Sequence, residues 1–256
     1  MSIDLKRPLI DFLKFSMHIH RLNHIFIDTV SRYEDRIEGV IKATKVLQKY
    51  DTDKQYESDE EIKKKHAELI ETAQKEISED FYSMKSAELI LNYSRFESAV
   101  NESLYSYFGL CDIAELPSVV SNKMDLSTLL KMNADEQRQY VADIYIQRNS
   151  AGIRYGFKRF ESIIEPIFGS STSTIDIRDE IFKFAQIRNL IIHRNGIVDQ
   201  QFADLFGEAE QKVGQRIDLS REILHDCYHG LMGYADDILD RIGQKQSDLK
   251  RVESET

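Results

Sequence analysis

The sequence predicts an almost wholly α-helical protein, and three observations carry that expectation. Only 3 Pro and 11 Gly occur in 256 residues, so long stretches run without a helix breaker. Along those stretches apolar residues recur every three or four positions instead of alternating. Ser58 and Asn133 each stand three residues before a glutamate, Glu61 and Glu136, which is the spacing of a helix capping box. With 41% hydrophobic and 30% charged residues, the chain has the balance of a folded protein, long enough for one large or two modest domains.

The elements follow in order. Pro8 suits a first helical turn, and Leu9, Leu13, Ile27, Val30, Ile37, Ile41 and Leu47 mark a helical pattern to about Tyr50. A polar link over 51–57 leads to the Ser58 cap. A second long pattern then runs to about Phe108 through Ile62, Leu69, Ile77, Met84, Leu91, Val100 and Leu104, with Gly109 as its stop. The two patterns fit either an antiparallel hairpin projecting as a coiled coil or two helices of a larger bundle.

Residues 110–133 read as irregular, with one short helix near 126–132. Asn133 caps a helix to about Arg148, and after a break at 149–152 another runs to about Ile167. Residues 169–174, Gly-Ser-Ser-Thr-Ser-Thr, form the clearest loop. Asp176 is expected to cap a helix carrying Ile177, Ile181, Phe184, Ala185, Ile187 and Ile191, and Asn195-Gly196 to stop it. A loop region to Asp218 leads into a last helix ending near Gly243, with residues 244–256 polar and frayed. The domain reading is a helical extension over 1–79, a helical bundle over 80–247 and a polar tail over 248–256.

Several function classes fall away. The two cysteines, Cys111 and Cys227, form no CxxC, which argues against a disulfide scaffold and a cysteine-built zinc site. Asp4 and Asp11 interrupt what would be the apolar part of a secretion signal, and no apolar run approaches the roughly 20 residues of a membrane helix. The expectation is a cytoplasmic protein without membrane contact. No P-loop, dinucleotide fingerprint or nucleophile elbow is present. His20, His24 and Asp28 fall at i, i+4 and i+8, and His225 and His229 repeat the i, i+4 spacing. Either pair could ligate a metal, but neither sits in HExxH, and both are read as surface or interface histidines, with Cys227 as a buried thiol. No metal and no cofactor is expected.

A net charge of −10 disfavours a broad, non-specific nucleic-acid surface, but the charge is unevenly spread. Residues 51–80 carry eleven acids and five lysines, more than half of the excess. Residues 182–196 carry no acid, only Lys183, Arg188, His193 and Arg194. Residues 148–160 likewise interleave Arg148, Arg154, Lys158 and Arg159 with Tyr155, Phe157 and Phe160. Cations beside aromatics can hold phosphates and stack bases. The plainer alternative is a basic helix face whose aromatics lie in the core.

His193 sits in the last helical turn, at the negative end of the helix dipole. Asn189 is one turn earlier on the same face and can orient the ring or a substrate oxygen. Arg188, five residues from His193, points roughly 140° away on a straight helix. A shared site therefore needs an unwound last turn or a second subunit.

The stretch Ile187-Arg188-Asn189-Leu190-Ile191-Ile192-His193-Arg194-Asn195-Gly196 resembles the Arg-Asn-x-x-x-His signature of HEPN domains, in the branch where a short polar turn and Gly follow the His. Tyr93-Ser94-Arg95-Phe96-Glu97-Ser98-Ala99-Val100 is similar to the Phe-Glu segment of an upstream helix in that branch. The resemblance spans roughly residues 80–245 and implies a HEPN-like bundle of four or five helices with the motif on the penultimate one. It implies a metal-independent endoribonuclease, often a toxin or antiviral defence effector, acting as a homodimer. Arg188 and His193 would then be catalytic and Asn189 supporting. The two basic segments supply the expected RNA contacts, Lys183, Arg194, Asn195, Arg154, Lys158 and Arg159. Implied partners are RNA, a second copy and an antitoxin or defence-system protein. A HEPN-like module that only binds a nucleotide, RNA or a partner, and a helical adaptor working through its N-terminal hairpin, are the alternatives.

Overall fold

A computed structural model describes residues 4–50, 54–111, 126–153, 156–207 and 213–255. The described residues fold into helices: α1 (Arg7–Ser31), α2 (Tyr33–Tyr50), α3 (Asp59–Ser78), α4 (Tyr82–Leu110), α5 (Leu126–Leu129), α6 (Ala134–Asn149), α7 (Phe157–Phe168), α8 (Ile175–Arg194), α9 (Gln200–Phe206) and α10 (Arg221–Glu255). Among these residues the only β pairing is an isolated bridge, Ile197 to Arg216, so the protein is all-α. No described helix is long and apolar enough to cross a membrane.

The chain divides into two compact units, Met17–Glu88 on one hand and Met1–Ser16 with Leu89–Thr256 on the other. The division differs from a boundary at 79/80, because the start of α1 packs with the later helices. Phe12 meets Phe96 edge to face at 5.3 Å, and Lys6 lies against Gly243 of α10.

Within Met17–Glu88, α2 and α3 pack as an antiparallel pair. Ile37, Ile41 and Ile62 make the seam, with Tyr33 and Ile70 packed on it. Ser58 accepts from the Glu61 N–H while the Glu61 carboxylate accepts from the Ser58 N–H, so both halves of the capping box are made. Each long apolar pattern is nonetheless two helices, not one. The first breaks at Arg32. The second breaks at residues 79–81, where Asp80 and Phe81 both take positive φ (51° and 56°). A left-handed phenylalanine costs on the order of 1–3 kcal/mol; burial of the Phe81 ring offsets it.

The larger unit is built on aromatic rings. Phe96 contacts Phe160 at 4.9 Å and Tyr234 at 5.8 Å, Tyr93 contacts Phe184 at 5.3 Å, and Phe157 contacts Tyr234 at 4.9 Å. A buried polar network lies beside them. Arg241 donates to Glu161 (2.7 Å) and to the Gly169 carbonyl (2.6 Å) and is ion-paired with Asp237 at 3.0 Å, and Tyr234 donates its hydroxyl to Glu161. Asp237 in turn accepts from Ser171 and from the Thr172 amide and hydroxyl. This network ties the 169–174 loop to α10 and thereby sets where α8 begins.

Three expectations are corrected here. Thr174, not Asp176, caps α8, because the Thr174 hydroxyl accepts from the Ile177 N–H, which leaves Asp176 in the first turn. The region between α8 and α10 holds the short helix α9, capped by Asp199 through the Phe202 N–H. The last helix does not fray after Gly243 but runs to Glu255. Residues 244–255 are mostly Gln, Lys, Arg, Leu and Glu, good helix formers with no breaker among them.

Candidate active site

The motif helix α8 packs against α10 with little space between them. A Cβ at Gly230 would stand 2.8 Å from the Glu180 Cβ and 3.2 Å from the Ile181 nitrogen, and one at Gly233 would stand 2.7 Å from Ile177. Two glycines one turn apart thus let α10 approach the first half of α8. Ile181, Phe184, Ala185, Ile187 and Leu190 bury the inner face, leaving the other face to carry the polar motif residues.

α8 keeps its helical form to Arg194 and turns only at Asn195, left-handed at φ 52° and ψ 34°. The Leu190 carbonyl accepts from the N–H groups of Asn195 and Gly196, and Gly196, at φ 75°, continues the reversal. This is the Asn-Gly stop read from the sequence. Because the turn before it is regular, unwinding does not carry Arg188 round to His193.

Asn189, His193 and Arg194 line one cleft of about 120 Å³, closed on its other side by Asp199 and Phe202 at α9. His193 and Arg194 are exposed there, as is Asn195 next in the chain, and the Arg194 guanidinium lies 3.8 Å from the Asp199 carboxylate. Arg188 does not line this cleft. It is half-buried, with its guanidinium over the Tyr93 ring at 5.7 Å and Nη1 donating to the Asn189 Oδ1 at 3.3 Å. Burial, with Glu97 next in weight, holds the Tyr93 phenol well above its usual range, so the ring under Arg188 stays neutral. Arg188 Nε and Asn189 Nδ2 are both enclosed without a hydrogen-bond partner among the described residues. Two enclosed donors side by side can receive an acceptor.

The other sequence candidates scatter. Lys183 is half-buried on α8; it is one of the charges acting on the Cys227 thiol, whose pKa burial drives upward. Arg159 is paired with Glu97 at 2.6 Å. Lys158 lines a separate cleft of about 410 Å³ with Phe157, Glu161, Ser171 and Arg178. Arg154 lies outside the described residues. Of the Phe-Glu segment, Phe96 is a core hub and Glu97 the partner of Arg159. Sequence reasoning missed Asp199, Phe202 and Tyr93 as neighbours of the motif. The Asp199-x-x-Phe202 cap spacing signals the α9 start, but Tyr93 under Arg188 depends on tertiary packing alone.

Compared with protein-family models, with curated proteins and with solved structures, the chain gives no match.

Proposed function

We propose that this protein is a metal-independent endoribonuclease of the HEPN type, cutting RNA at a composite site formed by two copies of the chain. The observation that carries the reading is the ending of α8: His193 exposed in a cleft beside Asn189, and Arg188 one face away with an unsatisfied Nε. One chain therefore offers one imidazole and, separately, one guanidinium. In-line cleavage needs two proton-transfer groups on opposite sides of the phosphorus. A two-fold axis through the motif supplies both.

The chemistry balances without a further reactant. One His193 takes the proton of the RNA 2′-hydroxyl, whose oxygen forms a bond to the adjacent phosphorus. The bond from phosphorus to the 5′ oxygen breaks, and the second copy's imidazole, as imidazolium, protonates that leaving oxygen. The products are a 2′,3′-cyclic phosphate and a 5′-hydroxyl end. Arg188 stabilises the charge that builds on the phosphorane, where a guanidinium can give two parallel donors. Asn189 positions the scissile phosphate, and Arg194 and Asn195 hold flanking RNA. Such an activity would harm its own host unless restrained, which fits a toxin or antiviral effector kept in check by a partner protein.

The test is cleavage of RNA in excess EDTA. Wild type should cut, and His193→Ala and Arg188→Ala should each lose at least about a hundredfold, the scale of one acid–base group or one charge-stabilising donor. A heterodimer of wild type and His193→Ala should fall far below half of the wild-type rate. His193→Ala cutting as fast as wild type overturns the reading. The engagement of Arg188 with Tyr93 and Asn189 favours one rival, a HEPN-like module that binds RNA, nucleotide or partner without cutting. That rival predicts RNA binding weakened by Arg188→Ala, with no cyclic-phosphate product from wild type.

A further inference from the structure

Within the Met17–Glu88 unit, α1 carries His20 and His24 one turn apart, so both rings leave the same helix face. Their Nε2 atoms converge to 3.1 Å, with the rings edge to face and their centroids 4.5 Å apart. Two imidazole nitrogens bound to one zinc-sized cation at about 2.0–2.1 Å stand roughly 2.9 Å apart at a right angle and about 3.4 Å apart at the tetrahedral angle. The observed separation falls between those limits, so no ring need move far to close on an ion.

The other nitrogen of His20 is committed. Nδ1 lies 3.0 Å from Glu88 Oε1, and Glu88 is only 3% exposed. Its second oxygen accepts from the Asn23 side chain. A carboxylate accepting from Nδ1–H fixes the tautomer and presents the Nε2 lone pair outward, the outer-shell arrangement of metal-ligating histidines. His225 and His229 share the i, i+4 spacing but not this convergence: their rings stack nearly parallel, with centroids 6.1 Å apart.

We infer that His20 and His24 form a two-histidine site for a divalent transition cation of the zinc, nickel or copper class, with Glu88 as its outer carboxylate. Paired imidazoles select these ions over magnesium and calcium, which take oxygen ligands. Among the described residues no group of three or more His, Cys, Asp or Glu is placed to hold a metal. Water or a donor from a bound partner therefore completes the coordination sphere. Both rings are exposed on α1, so those positions are open to solvent. The site needs nothing from the proposed ribonuclease chemistry.

The experiment is calorimetric titration of the EDTA-stripped full-length chain with zinc, nickel and magnesium chlorides at neutral pH. Zinc and nickel should bind with one equivalent that depends on His20 and His24, and magnesium should not bind. His24→Ala, a change at an exposed ring, should weaken that equivalent at least tenfold. Glu88→Gln should weaken it about 10–100-fold, the usual effect of an outer-shell change. His225→Ala with His229→Ala should leave it unchanged. The electron paramagnetic resonance spectrum of the copper(II)-loaded wild type should carry nitrogen hyperfine structure from two imidazoles, reduced to one in His20→Ala. Wild type binding neither zinc nor nickel, or a His20→Ala/His24→Ala double variant binding as wild type does, overturns the inference. Neither outcome bears on cleavage of RNA in a chelator.

Discussion

The two units of this chain solve the same problem with different means. From Leu89 onward, large rings fill a continuous interior, and Phe96, Phe108, Tyr145, Phe184 and Tyr234 are sealed from solvent. In Met17–Glu88 the apolar seam is a row of isoleucines between α2 and α3, while Ile25, Val46 and Leu69 remain 63%, 53% and 56% exposed. The first region is held by what it buries. The second adds polar contacts at its surface: capping at Ser58, the Tyr33–His66 hydrogen bond of 2.8 Å between α2 and α3, and exposed ion pairs such as Arg32–Asp28 and Lys45–Asp59. Exposed pairs of that kind contribute typically under about 1 kcal/mol each.

The largest expected effect puts that contrast to a direct test. Phe96→Ala removes a ring with three aromatic neighbours, Phe12, Phe160 and Tyr234. It should cost about 3–5 kcal/mol in urea unfolding, the range for a buried aromatic truncation. Ile41→Ala, in the thin seam, should cost nearer 2 kcal/mol, the lower end for a buried aliphatic residue, because its surroundings can collapse or admit water. Hydrogen exchange should then rise in α2 and α3 and stay unchanged in α7, α8 and α10. Equal losses from the two substitutions, or exchange rising everywhere in Ile41→Ala, would mean that the contrast between the regions is false.

A second substitution asks how tightly the site-bearing helix is held. Gly230→Ala places a methyl 2.8 Å from the Glu180 Cβ, a position that is no flexible side-chain end, so α8 or α10 must shift. The expected cost is about 1–3 kcal/mol, as for other overpacked contacts. Cleavage should also fall, because α8 positions Arg188, Asn189 and His193 together. Normal stability and normal exchange protection along α8 would show that the helix pair is looser than its geometry implies.

What the sequence disclosed follows from how far each signal reaches along the chain. Ser58, Asn133 and Asn195-Gly196 act on backbone groups within three to six residues, and all three features stand where the spacing put them. The all-α architecture was legible for the same reason. Periodicity alone could not reveal the breaks at Arg32 and at Asp80-Phe81, since apolar residues keep their helical spacing on both sides of each break. Thr174 and Asp176, two residues apart, are both good cap formers, so local sequence does not choose between them; Thr174 is the cap. The choice was settled by Asp237, which accepts from Ser171 and Thr172 and anchors the loop. That the motif residues close a helix was readable from Asn195-Gly196. That Arg188 lies over Tyr93, and that α9 brings Asp199 to Arg194, depends on long-range packing that no local pattern encodes.

The smallest effect concerns the capping box at the start of α3. Ser58→Ala removes the acceptor for the Glu61 N–H and frees the Glu61 carboxylate from the Ser58 hydroxyl. The loss should be about 1 kcal/mol or less, seen as lower helicity and faster exchange in α3, with α10 unaffected. Its pH dependence separates the cap from mere side-chain loss. The Ser58 N–H and then its hydroxyl hold the Glu61 carboxyl below its usual pKa, because both donate to the ionised form. A depressed folded-state pKa means stability that is present above the unfolded-state pKa and is lost as pH falls through the folded-state one. The main-chain N–H of residue 58 still donates to Glu61 in Ser58→Ala, and the cap bond to the Glu61 N–H is lost at every pH. The two proteins should therefore differ somewhat more near neutral pH than below the carboxylate range, by the part that the hydroxyl contributes. Replacing Ser58 by Asp should keep most of the neutral-pH stability, since an aspartate accepts from the same amide and suits the positive end of the helix dipole. A difference between wild type and Ser58→Ala that stays constant with pH would show that Ser58 works alone, without Glu61, and that this unit rests less on local charge–backbone contacts than its sequence indicates.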